Sequence, residues 1–198
     1  MKYRDNIEEI LNVEPDYLGF IFYEKSPRNV GDSVKPEYVR FIRTVEKIGV
    51  FVNAPDDFIL EKVEDFGLTG IQLHGEESPG QCDFLRLQGV KVIKVFSVGK
   101  KSFDFTELEP YVGKVDYFLF DTKGKHPGGN GVVFDWDILN GYKYDVPFFL
   151  SGGISLESLY KLKNFSHPML YAIDVNSQFE SEPGRKILPK LRTLKEMI

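Results

Sequence analysis

The segment Tyr117–Trp136, YFLFDTKGKHPGGNGVVFDW, decides how this chain reads. Tyr117 to Phe120 form an apolar run that does not alternate with polar residues, the pattern of a short strand buried on both faces. The run stops at a carboxylate, Asp121. A loop follows with Lys123, Lys125 and the glycines Gly124, Gly128, Gly129 and Gly131, and a helix start is expected near Asp135. A carboxylate at the carboxyl end of a buried parallel strand, under a glycine-rich loop, suits an acid and lid of a barrel enzyme. The same residue could equally cap a turn.

Working outward, the same unit recurs. A helix is expected over Asp5–Leu11, then an apolar run Tyr17–Phe22, a loop with Lys25, Ser26, Pro27 and Arg28, and a helix over Pro36–Val45. Ile48–Val52 ends at Asn53, Gly70–Leu73 at His74, and Val90–Phe96 at Ser97, with helices expected over Asp56–Phe66 and Ser78–Leu87. Phe105–Val112 reads as helical. Beyond the opening stretch, Pro147–Leu150 ends at Ser151-Gly152-Gly153, Leu156–Leu162 reads as helix, and Leu170–Ile173 ends at Asp174. A last helix is expected from about Gly184 to Met197.

Repeated strand–loop–helix units imply a parallel α/β fold with right-handed crossovers. Neither a GxGxxG nor a P-loop follows the early strands, which weakens a nucleotide-binding open sheet. The polar residues that end the buried runs form the ring that the catalytic face of a (β/α)8 TIM barrel requires. The barrel is therefore expected, as a single domain over residues 1–198. Only seven strands are visible, and the chain opens on a helix, so the first strand is missing from the pattern.

Composition bounds the function. The chain has 198 residues, 42% hydrophobic and 28% charged, the balance of a soluble globular protein. No apolar run is long enough for a membrane helix, no secretory signal pattern is present, and the single cysteine, Cys82, excludes an internal disulfide; a cytoplasmic location is expected. A net charge of −5 argues against nucleic acid, and no membrane partner is expected. Three scattered histidines and one cysteine offer no metal-ligand spacing, so no metal is expected. Cys82 falls on a helix and reads as a packed thiol.

The last two loops carry the clearest binding signal. Gly152 and Gly153 let backbone N–H groups approach an anion, with Asn176 and Ser177 in the parallel loop, although two glycines can also simply make a tight turn. Arg28 offers a planar fork for a carboxylate, or is a solvated loop arginine. His74 can bond substrate or a neighbouring turn, and His126 and His167 read as incidental.

The chain resembles the phosphoribosylanthranilate isomerase family. The matching motifs are Asp16–Phe22, Ser26-Pro27-Arg28, Gly49–Asn53, Gln72-Leu73-His74-Gly75, Phe120-Asp121-Thr122, Gly128–Gly131 with Phe134-Asp135-Trp136, Leu150–Ile154 and Asp174-Val175-Asn176-Ser177. The resemblance implies an Amadori rearrangement of N-(5'-phosphoribosyl)anthranilate to 1-(o-carboxyphenylamino)-1-deoxyribulose 5-phosphate in tryptophan biosynthesis, with no cofactor. It implies Asp121 as general acid on the furanose ring oxygen and Arg28 as holder of the anthranilate carboxylate. It further implies Gln72, His74 and Asp174 as substrate contacts, and Gly152, Gly153, Asn176 and Ser177 as the phosphate grip. A small phosphorylated molecule is thus the expected partner. The family's general base is a cysteine on the first strand, in a Lys-x-Cys-Gly motif shortly before the first helix. Here Met1–Ile7 resembles the segment just after that pair, and Cys82 belongs to another helix. The implied form is N-terminally shortened, lacks the base and one inner strand, and has low activity and stability. The complete barrel is expected to be a monomer, with association through open strand edges in this chain. Other readings are a different phosphosugar barrel, such as the histidine-pathway isomerase or indole-glycerol-phosphate synthase, and a non-catalytic phosphosugar-binding module.

Overall fold

The computed structural model describes residues 1–122 and 134–198. The glycine-rich loop read over residues 123–133, with Lys123, Lys125 and His126, lies outside the described residues. Seven strands, β1 (Tyr17–Ile21), β2 (Glu46–Phe51), β3 (Gly70–Leu73), β4 (Lys91–Val98), β5 (Tyr117–Thr122), β6 (Phe148–Leu150) and β7 (Leu170–Ile173), pair in sequence order, all parallel. This order follows from strand–helix crossovers of one hand, each laying the next strand beside the last.

The sheet curls. Tyr17 on the first strand and Tyr171 on the last bring their hydroxyls to 3.0 Å, and both rings meet Phe149. The curl encloses a small apolar core of Ile48, Ile93, Val95, Leu119 and Phe149, with Tyr17, Tyr117 and Ala172 packed on it. A larger core lies between the sheet and the outer layer. That layer is built from α1 (Arg4–Leu11), α2 (Pro36–Phe41), α3 (Asp56–Phe66), α4 (Pro79–Leu87), α5 (Leu159–Asn164) and α6 (Leu188–Met197). These features are those of a TIM-type α/β barrel lacking one strand.

The barrel is open at one place. Among the described residues the outer edges of β1 and β7 pair with no strand. Between them, under α1 and α6, is a cavity of about 730 Å³ lined by Leu18, Gly19, Leu170, Ala172, Leu191 and Leu194 among others. Met1 is buried beside it, and its amine donates to the Gly19 carbonyl.

Four expected helices take other forms in whole or in part. Phe105–Tyr111 is a 3-10 turn containing Pro110, which cannot donate the bond a longer α-helix needs, and Trp136–Gly141 is likewise 3-10. Where these short turns replace helices, aromatic rings cover the sheet: Phe96, Phe118, Phe120 and Phe148 pack edge to face with Phe103, Tyr111 and Tyr142. The expected last helix begins only at Leu188. Ahead of it, β8 (Glu180–Glu182) and β9 (Arg185–Lys186) form an antiparallel hairpin around Pro183-Gly184, with Gly184 at φ 89°, a conformation glycine adopts without strain. The first part of the segment from Leu156 is a 3-10 turn, with α5 following.

Candidate active site

Successive residues on a strand face opposite sides of the sheet, so parity sets which residues reach the barrel axis. On β5, Tyr117 and Leu119 belong to the inner core, and Asp121 continues their column. His74 stands two residues beyond Gln72, and both face the same cavity; Ser151 continues from Phe149, and Asp174 from Ala172. The top inner layer of the barrel is therefore polar where the layers beneath it are apolar.

These residues surround one cavity of about 500 Å³ at the carboxyl ends of the strands. Arg28, Gln72, His74, Asp121, Gly152, Gly153, Asp174, Asn176 and Ser177 all line it, so the structure brings together every site residue expected from the sequence. Ile21, Val50, Val52 and Ile154 supply its apolar wall, and Tyr23, Lys25, Ser26 and Gln178 extend its rim.

Asp121 lies deep in this cavity. Its Oδ1 accepts the Thr122 N–H at 2.8 Å, and its Oδ2 is 3.4 Å from His74 Nε2. Gln72 Nε2 meets His74 Nδ1 at 3.1 Å. With the Gln72 amide donating there, Nδ1 is the accepting nitrogen and Nε2 is the one that lies near Asp121.

The β6 loop is shaped around the acid. Gly152 and Gly153 have φ of 85° and 72°, a region that L side chains rarely adopt. A Cβ on Gly152 would strike Thr122 and come within 2.9 Å of Asp121 Oδ1. Among the described residues, the N–H groups of Gly152 and Gly153 have no partner, which leaves both donors to an anion. Ser151 Oγ donates to Asp174 Oδ2 at 3.1 Å and ties this loop to the next. Desolvation raises the Asp174 carboxyl above its ordinary range; Asp121 adds to the rise, and Lys186, the Ser151 bond and His74 oppose it.

Arg28 is held by a folded loop. Ser26 N bonds Tyr23 O, Asn29 N bonds Ser26 O, and Arg28 N bonds Ser26 Oγ. Its Nε donates to Glu180 Oε2 at 2.8 Å. Glu180 Oε1 accepts from Lys186 Nζ at 2.9 Å, and Lys186 also reaches Asn176 Oδ1 at 2.6 Å. Burial would raise the Glu180 carboxyl, but Lys186 and Arg28 carry it below its ordinary value.

A second buried network fixes the loop after β3. Lys94 points from β4 into the sheet–helix layer, where it bonds Gly75 O at 2.7 Å and Glu77 Oε2 at 3.0 Å. Glu77 in turn accepts the Asn53 and Gly75 N–H groups, and Asn53 Oδ1 accepts from Glu76 N. This clasp and the Glu180 network escaped the sequence reading. The available signals were a lysine inside an apolar strand and the Pro183-Gly184 turn.

Cys82 is buried on α4, and desolvation pushes its thiol up to about 11, so it is a packed side chain. Among the described residues no cluster of histidine, cysteine and acidic side chains could hold a metal ion, and no helix is long and apolar enough to cross a membrane.

A family model for N-(5'phosphoribosyl)anthranilate (PRA) isomerase matches residues 2–196. The chain belongs to this family. Among curated relatives, the N-(5'-phosphoribosyl)anthranilate isomerase of Parabacteroides distasonis is 42% identical, with 100% of this chain and 90% of the relative aligned. That of Phocaeicola vulgatus is 45% identical over 94% and 88%. In structure, the family member from Thermus thermophilus superposes with a TM-score of 0.81 at 26% identity, covering 100% of this chain and 94% of that one. A family member in complex with reduced 1-(o-carboxyphenylamino)-1-deoxyribulose 5-phosphate gives 0.75 at 26% identity, over 99% and 93%.

Proposed function

We propose that this chain acts on N-(5'-phosphoribosyl)anthranilate as an aldose–ketose isomerase of tryptophan biosynthesis, in the cytoplasm. What carries this reading is the convergence of an acid, an arginine and two unpartnered glycine N–H groups on a single cavity of about 500 Å³, in a chain of this family.

The chemistry follows from the groups present. The substrate has a carboxylate at one end and a phosphate at the other. Arg28 takes the carboxylate, while Gly152, Gly153, Asn176 and Ser177 take the phosphate, fixing the furanose between them. Asp121 protonates the ring oxygen, the C1–O bond breaks, and the anilinic nitrogen lone pair forms the iminium. Loss of the C2 proton gives the enolamine, which tautomerises to the ketone. His74, whose Nε2 lies 3.4 Å from Asp121 Oδ2, stabilises the carboxylate left after transfer. The C2 proton goes to a general base, a part that the family resemblance gives to the cysteine of a Lys-x-Cys-Gly motif; residues 1–198 contain no such motif.

Asp121→Asn tests this reading. Turnover, followed by the fluorescence of the anthranilate moiety, should disappear in the variant, while affinity for the reduced product analogue stays nearly unchanged. Undiminished turnover refutes the assignment of the acid. Tight binding by the unmodified chain with no turnover at any concentration favours the non-catalytic phosphosugar-binding reading.

A further inference from the structure

Arg28 reaches its partner through an unusual atom. Its one side-chain bond among the described residues runs from Nε to Glu180 Oε2, and the two terminal nitrogens have no partner there. Guanidinium groups grip carboxylates best through a paired edge, and the edge formed by the two terminal nitrogens is the one left over. Glu180 stands behind Arg28, outside the lining of the cavity, with its side chain only 4% exposed. Its other oxygen is taken by Lys186 Nζ, itself 10% exposed, and by the Gly184 N–H at 3.2 Å. Glu180 is therefore matched by two cations. Although it bonds Arg28, the trio of Arg28, Glu180 and Lys186 keeps one net positive charge, and only Arg28 of the three presents it to the cavity.

We infer that Glu180 is a positioning residue for ligand recognition: it fixes Arg28 by Nε so that the terminal fork faces a carboxylate on the bound phosphosugar. This rests on the reading of Arg28 given above and adds what sets its direction. The alternative geometry, in which Glu180 pairs with the terminal fork, would make it a competitor that the ligand must displace. The bond to Nε argues against that. Glu180 opens the hairpin β8–β9, so the hairpin couples the loop after β1 to the loop after β7, where Asn176 is held by the same Lys186. Asn176 at the phosphate end has its own bond to Lys186, which Glu180→Gln leaves in place.

The test uses two ligands and one variant. The ligands are reduced 1-(o-carboxyphenylamino)-1-deoxyribulose 5-phosphate and the same compound without its carboxyl group. The unmodified chain should bind the first more tightly. In Glu180→Gln, affinity for the carboxylated ligand should fall about tenfold while the carboxyl-free ligand changes by less than about twofold, collapsing the ratio between them. Equal affinities in the unmodified chain would overturn the reading of Arg28 itself. A preserved ratio in Glu180→Gln would overturn only the positioning role. A merely structural loss would weaken both ligands alike and so also overturns it. A measurement without any variant stands beside this. The Arg28 Nε–H resonance, assigned by its loss in Arg28→Lys, should stay in place and exchange slowly when the carboxylated ligand is added. Its disappearance on binding would mean that Glu180 is displaced, contrary to the proposal.

Discussion

The two sides of this barrel are held together by different means. On the β3–β4 side, a continuous backbone ladder is reinforced by the Lys94–Glu77 clasp, with both side chains almost wholly out of water. On the β7–β1 side there is no ladder among the described residues. A tyrosine pair at the bottom and the Arg28–Glu180–Lys186 network at the top bridge a cavity of about 730 Å³. Both sides place site residues, His74 on one and Arg28 on the other. The contrast is one of stability against recognition: we expect the laddered side to carry the fold and, on the proposed reading of Arg28, the bridged side to carry ligand discrimination.

Breaking the clasp should have the largest effect. Lys94→Ala leaves Glu77 buried without its cation, a class of change costing about 3–5 kcal/mol. Urea unfolding should show that loss, and an unchanged midpoint would mean that the clasp does not support the laddered side. Core truncations should divide in the same way. Leu85, fully buried against the main core, should cost about 2–5 kcal/mol when cut to alanine. Leu170, half-buried at the open cavity, should cost less than about 1 kcal/mol, because the new space joins a space already there. Equal losses would erase the contrast.

On the bridged side the effects are smaller and depend on pH. The Glu180 carboxyl titrates lower in the folded chain than its usual value of 4.5. A depressed carboxyl contributes stability above its unfolded pKa and loses that contribution as the pH falls through the folded one. The gap in melting temperature between the unmodified chain and Glu180→Gln should therefore be full at neutral pH and close below about pH 4.5. A gap that widened in acid would give the wrong sign. Tyr17→Phe removes one exposed hydroxyl pair and should likewise cost about 1 kcal/mol or less in thermal unfolding.

The sequence exposed the parts of this molecule that obey local rules. Runs such as Tyr117–Phe120 and Phe148–Leu150 are apolar on both faces because the sheet is covered on both, and that pattern needs no partner to be read. Of the polar residues that end such runs, parity puts Asp121, His74, Ser151 and Asp174 on the cavity, whereas Asn53 falls in the Glu77 clasp on the other face and Ser97 is not among the lining residues. Relations across the chain were not. Arg28 and Glu180 lie 152 residues apart, and neither residue carries a mark of the other. Lys94 was legible only as one residue of the strand run Val90–Phe96, and its side chain is buried because Glu77 and several carbonyls meet it. The expected helix from Gly184 failed because helical spacing was allowed to override a Pro-Gly turn.

The most direct test of the account is a titration with reduced 1-(o-carboxyphenylamino)-1-deoxyribulose 5-phosphate, comparing the unmodified chain with Gly152→Ala. Alanine at a φ of 85° drives its methyl group into Thr122 and Asp121, so the loop must shift and with it the N–H groups that face the anion. The account requires saturable one-to-one binding in the unmodified chain, weakened about tenfold or more in a Gly152→Ala protein whose circular dichroism is unchanged. Equal affinity in the two proteins, or no saturable binding to either, would contradict it.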